Sequence, residues 1–169
     1  MVPLKEVKSK MLSTPHVLVG GAIGRHVRAP YLALPLALVS HFALDAIPHV
    51  DTVTFFGIGG AKSNFTTTVD GVAAAALLLF LARGQKRWRW ILACGFLAIT
   101  MDILAMVLVW FPHASRLSVL AWLYRLHAFV GADMRPSDWP LGMATQILIL
   151  GLAVFFLRFA PRKMSRQDA

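Results

Sequence analysis

From Trp88 to Phe111 the chain reads WRWILACGFLAITMDILAMVLVWF, an apolar block whose only charges are Arg89 and Asp102. At a rise of about 1.5 Å per residue, a helix over this block crosses a hydrocarbon core of roughly 30 Å. Four further apolar segments run from about Pro15 to Val27, Pro30 to Ile47, Thr67 to Leu81 and Trp139 to Phe159. The first is too short to cross unaided. The stretch SRLSVLAWLYRLHAFVG, with Leu117, Leu120, Leu123 and Tyr124 on one face, reads as an amphipathic helix lying in the membrane interface. The expected fold is therefore an all-α integral membrane protein with about five apolar helices, the first one short, and one interfacial helix. Composition agrees, because 57% of the 169 residues are hydrophobic and only 15% charged. Soluble domains run at about 45–50% apolar with roughly a quarter of residues charged.

A single helical membrane domain is expected over residues 1–169. It comprises a basic N-terminal segment (1–14), the bundle (15–159) and a basic tail (160–169). The net charge of +9 sits mainly at the ends of apolar blocks, where it meets lipid headgroups and sets topology. That distribution argues against nucleic acid as a partner. Arg83, Lys86, Arg87 and Arg89 fall on one side with Arg158, Arg162, Lys163 and Arg166, which the positive-inside rule makes cytoplasmic. Lys5, Lys8 and Lys10 would then begin on the opposite side, a conflict that a re-entrant first segment would ease. The lysine-then-apolar N-terminus is read as retained, since the run from Val17 is short, glycine-rich and lacks a small-residue cleavage site. Cys94, the single cysteine, excludes an internal disulfide. Gly20, Gly21 and Gly24 would let another helix approach the first one closely.

Polar residues are few and they converge. In an up-down arrangement His16 at the start of the first segment, His41 to Asp51 at the end of the second and Asp70 at the start of the third all face one side. Asp102 lies in the half of the fourth segment nearer that side, and His127 is in the amphipathic helix beyond. The densest cluster is SHFALDAIPHVD, from Ser40 to Asp51. His41 and Asp45, four residues apart, share one helix face, so a metal can bridge them. Pro48 ends the helix and frees His49 and Asp51 to turn back. This nitrogen and oxygen set suits zinc, manganese or iron better than calcium. Asp70 and Asp102 can supply carboxylates for a second ion or act as general base, with His16 and His127 completing the shells. Two such ions are a common device for phosphoester hydrolysis.

Plainer readings stand beside these. Asp70 follows Thr67 by three positions and can complete a helix cap. His16, His26 and His113 suit the headgroup layer, and a lone histidine on an amphipathic helix, as at His127, is usually solvated. Asp102 is harder to dismiss, because an acid inside a spanning segment costs about 2.5–3.5 kcal/mol on insertion scales. No G-x-S-x-G, phosphate-binding glycine loop or Cys–His pair is present.

T-P-H-x-x-x-G-x-x-I-G from Thr14 to Gly24, followed by S-H-x-x-L-D-x-x-P-H-x-D, resembles small bacterial inner-membrane proteins similar to the membrane-bound metal-dependent hydrolases (YdjM-like). The resemblance covers about the first 50 residues and carries over to His16, His41, Asp45, His49 and Asp51. The P-D-x-D-H and H-R-G-x-T-H patterns of the larger group do not occur. The resemblance implies a helical bacterial inner-membrane protein with a His/Asp metal site and hydrolase activity. Headgroup depth makes a phosphoester or lipid headgroup the natural substrate. Two alternatives stay open. One is a transporter or ion conductor using the same cluster, which requires polar residues through the membrane. The other is a non-catalytic membrane protein with a structural metal.

Overall fold

The computed structural model describes residues 12–50, 61–130 and 136–160, and among them every regular element is helical. Seven α-helices run in order: α1 (Ser13–His26), α2 (Pro30–Asp45), α3 (Ala61–Ala82), α4 (Trp88–Ala98), α5 (Thr100–Trp110), α6 (Ser118–Val130) and α7 (Trp139–Arg158). Short 3-10 turns at Pro112–Arg116 and Pro136–Asp138 lead into α6 and α7. The basic ends, Asp51 and the GIGG turn lie outside the described residues.

The all-helical expectation holds, with differences in how the apolar blocks are divided. Two helices are by themselves long and apolar enough to cross a membrane, one over Phe65–Ala82 within α3 and one over α7. A third crossing is available if α4 and α5 count as one span bent by 44°. The fourth block, expected as one helix, thus breaks at Ile99, which takes φ −105° and ψ 5°. Neither proline nor glycine sits at the break, where the Thr100 hydroxyl donates back to the Phe96 carbonyl at 3.2 Å, a contact that bends helices. α2 is apolar but ends at Asp45, short of span length. α3 starts at Ala61, before the expected Thr67, which puts Asp70 in mid-helix rather than at a helix start. Only 22% of either spanning window is buried inside the protein. The remaining surface carries large exposed apolar side chains such as Phe80, Leu148 and Phe156, a face suited to lipid rather than water.

α1 is the axle of the bundle and packs on α2, α3, α4 and α7. Pro15 fits its first turn, where a missing N–H does no harm. Its glycines permit the closeness. A Cβ at Gly20 would lie 2.6 Å from the Cys94 carbonyl oxygen, and one at Gly24 would run into the Trp90 carbonyl. The main core lies on the side of α1 facing α3, α4 and α7, where Val17 and Leu18 meet Ala74, Leu78, Ile91, Ala153 and Leu157. Ala33 and Ala37 of α2 close on Cys94 from the other side. Beyond the glycines, therefore, α1 presents its N-terminal turn and His16 to the junction of α2 with the break at Ile99.

Candidate metal centre

Asp45 is the hub of the polar cluster. It is the last residue of α2, one turn after His41, and both side chains are buried. Its Oδ2 lies 3.2 Å from His41 Nε2 and 3.1 Å from His127 Nε2, while its Oδ1 lies 3.2 Å from His16 Nε2. The two imidazole nitrogens of His41 and His127 are 2.9 Å apart. Three potential ligand atoms thus form a nearly equilateral triangle with sides of 2.9, 3.1 and 3.2 Å. Ligand atoms at about 2.0–2.2 Å from a tetrahedral zinc are separated by about 3.3 Å, so the triangle is close to the required size.

The proton inventory points the same way. His41 Nδ1 lies 2.8 Å from the Ala98 carbonyl oxygen, which can only accept, so the imidazole N–H is assigned to Nδ1. Nε2 of a neutral His41 is then a lone pair aimed at the carboxylate and at His127. A donor at Nδ1 and a free Nε2 are the arrangement in which metal-ligating histidines are held by an outer partner. The Ala98 carbonyl is available because α4 ends there, and the last carbonyls of a helix have no intrahelical partner. The break at Ile99 therefore positions His41 as well as Asp102.

Asp102 sits in the first turn of α5, where the helix dipole favours a negative charge. It is 8% exposed, and neither carboxylate oxygen has a hydrogen-bond partner. Its Oδ1 is 3.6 Å from His127 Nε2 and 4.0 Å from His41 Nε2. His16 stacks on His41 with ring centroids 4.3 Å apart, and both its nitrogens are buried without a hydrogen bond. Phe42 closes the cluster with its ring edge-on to both His41 and His127. A buried ionised carboxylate without a partner is strongly disfavoured. Asp102 is such a carboxylate, and beside Asp45 and the three imidazoles it completes a donor set suited to a cation. His41, Asp45 and His127 form one metal-capable set and His16, His41 and Asp102 a second, with ligand atoms within 4.8 Å of one another in each.

Five of the eight residues expected at the site thus come together from four helices: His16, His41, Asp45, Asp102 and His127. Of the other three, two do not join them in the structure. Asp70 faces the N-terminus of α1, where its Oδ2 accepts from the Thr14 N–H at 3.1 Å and its Oδ1 from the Thr14 hydroxyl at 2.5 Å. It is a cap, as its plainer reading held, but of another helix rather than its own. His49 is fully buried, with Nδ1 2.7 Å from the Ile47 carbonyl and Nε2 without a partner, yet it belongs to neither metal-capable set. Asp51 lies outside the described residues. Sequence reasoning missed the Ala98 carbonyl, for which no side chain gives a signal, and the Phe42 lid, adjacent to His41 but unremarkable in an apolar helix.

Compared with protein-family models, with curated proteins and with solved structures, the chain matches none.

Proposed function

We propose that the chain is an integral membrane protein and a metal-dependent hydrolase whose ion is held by His41, Asp45 and His127. The observation that carries this reading is the buried triangle of their ligand atoms, with sides of 2.9–3.2 Å, beside the unpartnered carboxylate of Asp102. Zinc suits the mixed imidazole and carboxylate set, and manganese or iron fit the same donors. A divalent ion at such a site lowers the pKa of a bound water to about 7.

The roles of the side chains follow from their geometry. Ala98 fixes the His41 tautomer so that Nε2 can ligate. His16, 3.2 Å from Asp45 Oδ1, steadies the carboxylate oxygen that faces away from the triangle. Asp102, just outside the triangle, is placed to accept a proton or to complete the shell. Asp70 is withdrawn from both roles by its engagement with Thr14. The substrate class that fits a site beside short helices and a bilayer surface is a phosphoester, a lipid headgroup among them.

Conduction through the same cluster is the weaker reading. It requires polar residues deeper in the bundle, and the two on α7 are engaged elsewhere: Thr145 donates to the Pro48 carbonyl and Gln146 donates to the Val50 carbonyl at 2.8 Å. They tie the segment after α2 to α7.

The test is metal content by mass spectrometry on detergent-purified protein, beside the double variant His41→Ala/Asp45→Ala. One or two equivalents of zinc, manganese or iron in the native protein, absent from a variant of unchanged helix content, is the expected result. Hydrolysis of phosphoester substrates should disappear with the metal. A native protein that takes up none of these ions on reconstitution would overturn the reading, and stoichiometric metal without hydrolysis of any phosphoester would leave a structural centre in its place.

A further inference from the structure

α6 has two faces with different obligations. On one, His127 is 1% exposed and enters the polar cluster, flanked by the half-buried Leu120, Leu123 and Tyr124. On the other, Val119, Trp122, Leu126 and Phe129 recur at helical spacing, and they are 68%, 58%, 38% and 84% exposed. At 3.6 residues per turn, the centre of that stripe lies roughly 120° around the helix from His127. Such a stripe on a helix of soluble protein would be a liability in water.

Charge narrows what covers it. From Ile103 to Ala132 the chain contains no acidic residue, while Arg116 and Arg125 precede and flank the stripe. Arg125 turns its Nε–H back to the Ala121 carbonyl at 3.2 Å, holding its head beside the helix. Apolar side chains on one face, arginines at the flank and no acid suit the surface of an anionic bilayer. The connection suits it too. α6 follows α5 through the single 3-10 turn Pro112–Arg116, so it begins where the bent pair ends, and Trp110 and Phe111 at that end are themselves 65% and 64% exposed.

We propose that α6 is a lipid-seated arm, and that embedding Val119, Trp122, Leu126 and Phe129 in an anionic bilayer surface is what holds His127 in the metal centre. The inference rests on the membrane and metal-centre reading above. α6 meets α2 where His127 lies against His41 and Phe42, with ring centroids 4.7 Å and 6.3 Å away. The site then depends on the bilayer for one of its three ligands. A substrate drawn from the same surface would meet a complete centre only there.

Two measurements on one preparation test this. In a Cys94→Ala background, nitroxide labels at W122C, L126C, F129C and R125C are read in nanodiscs containing phosphatidylglycerol and phosphatidylcholine. The first three should collide with oxygen and be shielded from chromium oxalate, and the label at residue 125 should show the reverse preference. Equal exposure of all four to chromium oxalate would place α6 in water. Shielding of the stripe from both reagents would mean a protein partner, and either result overturns the proposal. In the second measurement, Trp122→Asp/Phe129→Asp should weaken zinc binding in nanodiscs at least tenfold. Unaltered affinity in the double variant would break the link between lipid and ligand. If the native protein binds no zinc, the metal reading falls and the coupling with it, whereas the depth profile still reports whether α6 is seated in lipid.

Discussion

Asp70 and Asp102 show how much one carboxylate differs from another in the same bundle. Asp70 accepts two hydrogen bonds from Thr14 and sits at the positive end of α1. Asp70→Ala should lower stability by about 1–2 kcal/mol, as for loss of a helix cap, and leave metal content unchanged. Asp102 is buried with neither oxygen bonded. Asp102→Asn should therefore stabilise the metal-free protein, by about 1–3 kcal/mol on the scale of a relieved buried polar group, and destabilise the metal-loaded one relative to native. Chemical unfolding of both variants in detergent, with and without zinc, reads the comparison. An Asp102→Asn protein less stable than native in both conditions would mean that the carboxylate has a protein partner and no need of a cation. From sequence Asp102 was already the harder to dismiss, but a cap for Asp70 could be read only on its own helix, since its actual partner is supplied by a distant one. Thr14 is 56 positions from Asp70, and no spacing rule reaches that far.

At the scale of the element, helix class and approximate position were legible because apolar blocks bounded by proline, glycine and arginine leave few other solutions. The i, i+4 pair His41 and Asp45 was legible for the same reason, since helical periodicity puts them on one face. The division at Ile99 was not. ITMD carries no proline or glycine, only a threonine whose hydroxyl bonds back to Phe96, and the interruption is compensated by contacts made elsewhere, among them the His41 bond to Ala98. The glycines of α1 were readable as a close-packing face but not as to partner, which proves to be the backbone of α4 for Gly20 and Gly24 and the Leu78 side chain for Gly21. A branched side chain there must push the two helices apart. Gly20→Val should destabilise by about 1–3 kcal/mol, the usual range for an overpacked core. It should also weaken zinc binding, because α1 carries His16 and α4 carries the Ala98 carbonyl. Isothermal titration against Gly151→Val measures this. Gly151 has open space around its Cα, and equal affinities in the two variants would show that helix spacing does not reach the site.

For the molecule as a whole, the cluster joins α1, α2, α5 and α6, elements that share little apolar core at their meeting point. A cation there acts as a cross-link of the folded state alone. Zinc at about one hundred times its dissociation constant should raise unfolding free energy by about 2.7 kcal/mol. The gain should vanish in His41→Ala/Asp45→Ala, and it should shrink as pH falls, since ligating histidines must be deprotonated. Differential scanning fluorimetry in detergent at graded zinc and pH measures it; a gain that survives in the double variant would locate the binding elsewhere. The cap on α1 carries a different consequence, one of assembly order. α1 is fourteen residues long, below the length that crosses a bilayer, and the acceptor for its Thr14 N–H belongs to α3. Synthesis delivers α1 first, yet its N-terminal turn is not completed until α3 exists. In the membrane reading proposed above, α1 would therefore be among the last of the described helices to find its place, after α3 has made a seat for it.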